Sequence, residues 1–512
     1  MRRIGIDVGG TNTDAVLIED GKVVGAVKAP TSEDVTTGIL DSLKALGATG
    51  VLKGKKIDGV MIGTTHFINA VVQRRHLTRV GALRLGMPAS ASLPPFCDWP
   101  EDLANLVRGG VWMVEGGHEY DGRLFMPLDE AAVTKSAEEM KAKGLKSVAI
   151  SAIFSPLDPT HEKRAAELVA KVIPEAIITC SSDLGRIGLL ERENAGLLNA
   201  ALADLSRDTI AAFEKAIRDS GIAAPLFITQ NDGTVAEASQ ARRLPVYSFA
   251  SGATNSMRGA AYLSGLSDAM VIDVGGTTTD VGQLKNGFPR EANSVVKVGG
   301  VRTLFRMPDL LSIGLGGGSH VQLDPLKVGP ISVGYRLLRD GIAFGGKQLT
   351  TTDVAIAAGV LTLGDRAKVA HLDAATCKKV FAEAARLSEE AIDRMKTEAG
   401  DVPLIAVGGG AFLIPEKLPG VSKVIHVQHG DCANAVGAAI AQVSGECDQI
   451  FKDMTRNEAL AAAQGIANDR AVAAGAERKT LSTIESEDMP LAYLPGNSVR
   501  VRVRVVGDVA SS

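Results

Sequence analysis

Cysteine is scarce and scattered. Cys97, Cys180, Cys377, Cys432 and Cys447 are the five cysteines in 512 residues, and no CxxC pair occurs among them. An odd, dispersed set argues against a disulfide framework and a zinc ribbon, and fits a reducing compartment. Neither sign of charge is in excess: the formal net charge is −4, which gives no basic footprint for nucleic acid or an anionic membrane. No uninterrupted apolar run approaches the roughly 18–20 residues of a membrane span. The opening MRRIGIDVGG lacks an apolar h-region and a cleavage site, so it reads as a strand rather than a signal peptide. Two phosphate-loop signatures are missing as well: no GxxxxGKS or GxxxxGKT, and no GxGxxG leading from a strand into a helix. These absences set the expectation of a soluble cytoplasmic protein with no nucleic-acid and no membrane partner.

What the sequence does have is glycine, 56 residues of it, much of it in short clusters. One cluster occurs twice. IDVGGTNTD at 6–14 and IDVGGTTTD at 272–280 differ only where Asn12 becomes Thr278. The register continues beyond the motif, with Asp20-Gly21 after the first copy and Asn286-Gly287 at the same distance after the second. Each copy reads as a strand, a Gly-rich turn, a second strand and a hairpin turn. At this length the chain exceeds a single core. Strands alternate with helices after the first meander, which gives an α/β class. A helix is expected over 31–46, strands at 58–63 and 80–85, and one long helical stretch over 188–217. Further helices are expected over 373–396 and 431–443, with a strand over 403–407. The alternating stretch 498–506 carries Arg500, Arg502 and Arg504 on one face, as a half-exposed strand does.

A Gly-Gly-Thr turn lines up backbone N–H groups on one concave surface, which suits phosphate oxygens. Gly9, Gly10, Gly275 and Gly276 carry no Cβ to hold a phosphate away. Thr11, Asn12, Thr13, Thr277 and Thr278, with Thr279, add side-chain polar groups. Asp7 and Asp273 close the two buried strands at the mouths of the loops. Carboxylates beside phosphates suit a hydrated Mg²⁺. Two facing hairpins would clamp a triphosphate across a cleft. Asp14 and Asp280 are read as anchors of their own hairpins through backbone N–H bonds, as Asp often is at turns.

Asp232, at a strand end in Gln230-Asn231-Asp232-Gly233, is the candidate general base, with a turn residue as the plainer alternative. His320 reaches phosphate or substrate, or is a loop histidine bonded to backbone; His66 is a similar case. His118, Glu119 and Asp121 suggest a metal, but lie too close together for a clear ligand set. Glu191 and Glu193 read as a solvated or interdomain helix face, and Cys180 and Cys432 as small buried residues.

The pair of motifs resembles the phosphate-1 and phosphate-2 loops of the actin, heat-shock chaperone and sugar-kinase superfamily, and VGGGAFLIP at 407–415 resembles its adenosine motif. A closer resemblance is to the hydantoinase/oxoprolinase family. It rests on GIDVGGTNTDAVLI, GTTHFINAVVQRR, GGHEYDGR, LLERENAGLLNAAL, TQNDGTV, FASGATNSMRGAAYL, VIDVGGTTTDVG and IGLGGGSH, spread over most of residues 1–445. The resemblance implies an actin-like (ribonuclease H-like) fold, a duplicated βββαβα core with ATP between two domains. Residues 1–80 would form the first half of the core, and 81–245 an inserted, substrate-side region and the completion of the first domain. Residues 246–447 would form the second domain and 448–512 a small appended element. It further implies ATP and Mg²⁺ as cofactors, with Asp7 and Asp273 holding the metal. Gly408, Gly409 and Gly410 would support adenosine, and Gly317 and His320 would join the nucleotide contacts. The implied activity is ATP-dependent opening of a cyclic amide such as a hydantoin, a lactam or 5-oxoproline. A second hydantoinase subunit and a homo- or hetero-oligomer are the implied partners. A small-molecule kinase of the same fold, or an ATP-switched activator or reactivating chaperone, is the competing reading.

Overall fold

The computed structural model describes the chain except residues 10–11, 31–34, 186, 293–295, 492–496 and 511–512. The first motif opens a nine-stranded sheet. Its central strands Arg2–Val8, Gly59–Thr64 and Leu226–Thr229 run parallel. Every residue of Arg2–Val8 is buried, as expected of a central strand covered on both faces. On one side Asn12–Glu19 and Lys22–Pro30 complete an antiparallel meander. The second motif builds a six-stranded sheet on the same plan: Ala269–Val274 is antiparallel to Thr279–Lys285 and parallel to Val402–Val407. Asp20 and Gly21 have φ of 46° and 76°, and Asn286 and Gly287 have 54° and 75°. Both hairpins therefore close through the left-handed turn that Asp-Gly and Asn-Gly favour.

Residues between these sheets form a third unit. Arg108–Glu115, Val80–Met87, Ser147–Ala152 and Ile177–Cys180 make a parallel four-stranded sheet. Its core holds a charge pair, Arg84 with Glu193, whose carboxylate was expected on a solvated or interdomain helix face. Glu193 is 3% exposed, accepts from Arg84 Nε at 2.8 Å and pairs with the Arg84 guanidinium; Ser151 Oγ also donates to it. Glu191 does face another unit, 3.9 Å from Arg302. The long stretch 188–217 is two helices, Leu189–Ala201 and Ala203–Asp219.

The boundary before the tail departs most from expectation. The helix expected over 431–443 covers only Ala433–Ile440, and a strand, Gln442–Phe451, follows at once. Val443, Gly445 and Cys447 are buried in alternation with Gln442, Ser444 and Glu446, a period-two pattern that the preceding Ala-rich run obscures. Gln442–Phe451 joins the first sheet beside Thr234–Glu237, and Val499–Gly507 and Ser482–Pro490 extend it outward. The arginine face of Val499–Gly507 meets carboxylates: Arg500 pairs with Asp448, Arg502 with Glu485 and Arg504 with Asp232. Helix Arg456–Ala473 starts in a capping box between Thr455 and Glu458 and covers these strands with Ala459, Ala463, Ala467 and Ala471. Among the described residues no helix is long and apolar enough to cross a membrane.

Two short-residue helices tie the halves together. Ser251–Ser264 leads from the first sheet to the second, and Ala433–Ile440 leads back. A Cβ on Gly259 would stand 1.9 Å from the Ala433 carbonyl oxygen, and one on Gly437 1.8 Å from that of Asn255. Only glycine lets the two backbones approach this closely.

Candidate functional site

The carboxyl ends of the parallel strands in both sheets converge where the two halves meet, the usual place for ligands in an α/β fold. The hairpins repeat each other in register. Asp7 lies opposite Asp14 and Asp273 opposite Asp280. Each turn is closed by the same bond, Gly9 N–H to the Asn12 carbonyl at 3.1 Å and Gly275 N–H to the Thr278 carbonyl at 2.9 Å. Gly10 and Thr11 lie outside the described residues. Asn12, Thr277 and Thr278 are exposed at the loop tips. Thr13 and Thr279 point the other way. Thr13 is fully buried against Gly38, and Thr279 donates to the Leu315 carbonyl at 2.7 Å.

The crossing helices reach both aspartates. Asn434 Nδ2 donates to Asp7 at 3.3 Å, and the Ser256 hydroxyl stands beside Asp273. Burial pushes the Asp7 carboxyl up to about 7; Asp14 and Asp273 add to the rise, and Asn434 and Lys28 oppose it. Burial also raises Asp273, to about 6, with Asp280 adding and Ser256 opposing. Asp7 thus senses Asp273 across the boundary, and Asp273 senses Asp14 and Lys28 of the first hairpin. Asp14 and Asp280 are raised by burial too. Among the described residues they accept from side chains, where backbone N–H groups are expected of turn anchors. Lys28 Nζ donates to Asp14 at 2.9 Å and Ser312 to Asp280. Lys28, Asn434 and Ser256 are the residues of this cluster that sequence reasoning missed.

The other glycine clusters support the second loop. Gly408 has φ of 88°, and a Cβ there would stand 2.3 Å from the Asp273 carboxylate, so this turn needs glycine. Gly410 N–H donates to the Val274 carbonyl at 2.7 Å, while Gly409 is exposed with no atom near its Cβ position. Gly317 and Gly318 donate to the Gly275 and Gly276 carbonyls at 3.0 and 2.7 Å. Gly317 therefore shapes the loop and has already committed its N–H. His320 lies on the strand Ser319–Leu323 and bridges Thr350 through backbone.

Among the described residues no three His, Cys, Asp or Glu side chains are disposed to hold a metal ion. The sequence suggestion of one at His118, Glu119 and Asp121 fails there. His118 Nε2 is 3.5 Å from Asp158 and its ring stacks near His161, while Asp121 pairs with Arg123. Asp7 and Asp273 are carboxylates of the kind that Mg²⁺ takes, one or two at a time, with phosphate oxygens and water completing its shell.

Asp232 lines a cavity of about 600 Å³. Asn231, Tyr247, Phe305, Arg306 and Glu446 also face it. Asp232 accepts from Thr234 Oγ1 at 2.6 Å and Thr234 N–H at 3.1 Å, and Arg504 is 3.1 Å away. Its carboxylate holds a turn and an arginine, the plainer of its two expected roles. Asn231 ties the cavity to the crossing helices by accepting from Ala250 N–H at 2.7 Å. Next to it, the Thr229 hydroxyl accepts from Asn255 at 3.0 Å. His66 starts the helix His66–Gln73 just after the strand end at Thr64.

Comparison with known proteins matches residues 3–173 to the model of the hydantoinase/oxoprolinase N-terminal region and 192–395 to that of hydantoinase/oxoprolinase. The chain is 28% identical over 393 residues to caprolactamase subunit alpha of Pseudomonas jessenii, covering 71% of this chain and 55% of that one. It is 26% identical over 396 residues to the acetophenone carboxylase gamma subunit of Aromatoleum aromaticum, covering 70% and 53%. It thus spans about half the length of these relatives. Among solved structures, the ATP-dependent caprolactamase of Pseudomonas jessenii superposes with a TM-score of 0.80 at 21% identity, covering 99% of this chain and 88% of that one. Nucleotide-free acetone carboxylase superposes at 0.68 and 18%, covering 100% and 89%. The fold is the actin-like α/β fold with a duplicated core.

Proposed function

This chain belongs to the hydantoinase/oxoprolinase family, and from that premise we propose that it uses ATP and Mg²⁺ to open a small cyclic amide, by itself or as one subunit of a larger enzyme. The observation that carries this reading is the placement of Asp7 and Asp273 at equivalent positions of two repeated hairpins, with Gly408 of the second half packed on Asp273 and Asn434 donating to Asp7. An unactivated amide is a poor electrophile, and ATP supplies a phosphoryl group that turns its carbonyl oxygen into a leaving group. The protein's part in such a transfer is positioning and charge neutralisation. Asp7 and Asp273 would hold the hydrated Mg²⁺. Gly9–Thr11 and Gly275–Thr277 would face the phosphates, with Asn12 and Thr278 at the loop tips, and Gly408–Gly410 would support adenosine. The two carboxylates suit this work because a divalent cation offsets the burial, and the lesser like-charge repulsion, that raise their pKa values.

The cavity beside Asp232 is the seat we assign to the ring: it opens at the same sheet edge, two strands over from Asp7. The names of the relatives favour ATP-driven chemistry and a subunit role. The substrate class therefore includes hydantoins, lactams and 5-oxoproline, and a second hydantoinase subunit is the natural partner. ADP release by the purified protein should rise with one member of that panel, with or without a partner subunit. Absence of stimulation in every combination would refute the proposal.

A further inference from the structure

Lys28 touches both halves of the molecule. It lies on the strand Lys22–Pro30, directly opposite Asp14. Counting outward from the Asp20-Gly21 turn would put Val27 there instead. A bulge between Leu17 and Ile18 shifts the pairing by one residue and turns Lys28 toward the site. Its ammonium donates to Asp14 at 2.9 Å and to the Asp431 carbonyl at 2.6 Å, and it stands 3.8 Å from the Asp431 carboxylate. The same short segment makes two further bonds. The Gly430 carbonyl accepts from Gly408 N–H at 2.9 Å, and Asn434 donates to Asp7 at 3.3 Å. Gly408 in turn packs on Asp273. One turn thus links the first hairpin, the glycine turn of the second half and both motif aspartates.

An exposed lysine–carboxylate pair contributes little. Here the partners are part-buried, at 32% and 13% side-chain exposure, and one acceptor is a backbone carbonyl of the opposite half. We propose that Lys28 is a positioning residue: by bridging Asp14 and the Asp431 carbonyl it fixes the first hairpin against segment 430–434 and so sets the alignment of Asp7 with Asp273. This rests on the reading of the cleft as an ATP site.

The test compares Lys28→Met and Lys28→Arg with the parent protein in two assays: steady-state ATP turnover, and amide hydrogen exchange of the nucleotide-free chain. Lys28→Met should lower kcat about 10²-fold, the cost of roughly 1 Å of misplacement. KM for ATP should stay within about threefold, because ground-state contacts are kept. Exchange should rise at 408 and over 430–434, and Lys28→Arg should restore most of both. Unchanged kcat, or a raised KM with kcat preserved, would overturn the proposal even if exchange rises. A parent protein without ATP turnover, both alone and with a partner subunit, would refute the ATP reading instead. The exchange arm then decides the bridge alone, and unchanged exchange in Lys28→Met would overturn it. A melting curve for each variant separates unfolding from misalignment.

Discussion

The crossing of Ser251–Ser264 and Ala433–Ile440 allows one substitution to be predicted with opposite signs at two places. In Gly437→Ala the new Cβ would stand 1.8 Å from the Asn255 carbonyl oxygen. Contacts below about 3 Å are not tolerated, so the helices must separate by roughly 1 Å or more. The obstacle is the backbone of a buried helix and cannot rotate away. Overpacking costs about 1–3 kcal/mol, and a backbone obstacle puts this site at the upper end. Replacing a helical glycine by alanine returns about 1 kcal/mol. The net expectation is a loss of roughly 1–2 kcal/mol. The same shift pulls Asn434 away from Asp7, so ATP turnover should fall as well. Gly465→Ala is the control. Gly465 lies inside helix Arg456–Ala473 with nothing near its Cβ position, so only the propensity gain remains, about 0.5–1 kcal/mol of stabilisation. Denaturant midpoints for both variants decide the matter. A Gly437→Ala protein as stable as the parent would refute the close-approach argument.

Three further outcomes follow from buried groups. Asp7 is held above its usual range, so its folded pKa exceeds the unfolded one, and its ionisation destabilises the ligand-free protein as pH rises from about 4 through about 7. Asp7→Asn should therefore be more stable than the parent at pH 8, with the gap closing toward pH 4; a gap that widens on acidification would contradict the electrostatics. Arg84→Met strands the buried Glu193 carboxylate and should cost about 3–5 kcal/mol in chemical denaturation, while a change below about 1 kcal/mol would show that Glu193 finds other partners. Asp232→Asn should lower substrate-stimulated turnover less than about tenfold, since a general base contributes roughly 10²–10⁴-fold. A larger fall, with the acid limb of the rate profile abolished, would restore Asp232 as the base.

The repeated motif made the hairpins readable because each feature is local: the paired aspartates, the glycine turn and the Asp-Gly or Asn-Gly closure lie within about fifteen residues, and each has a steric cause. The residues that tune the site are not local. Asn434 reaches Asp7 from 427 positions away, and Ser256 arrives on a helix whose small residues resemble any packed segment. Lys28 was hidden by a bulge that no turn rule announces. Periodicity also misled where it was weak. The strand Gln442–Phe451 follows an Ala-rich helix with no Gly or Pro break, and Glu193 read as a solvated or interdomain face because a buried carboxylate is rare without its arginine in view.

On the proposed function, the two hairpins clamp one nucleotide between the halves. Calorimetric titration with a non-hydrolysable ATP analogue, with and without Mg²⁺, measures this directly in the parent protein and in Asp7→Ala and Asp273→Ala. The expected result is one site per chain whose affinity depends on Mg²⁺, and loss of that dependence, together with ATP turnover, in each variant. No binding by the parent protein, or Mg²⁺-dependent binding and turnover that survive in either variant, would contradict the account.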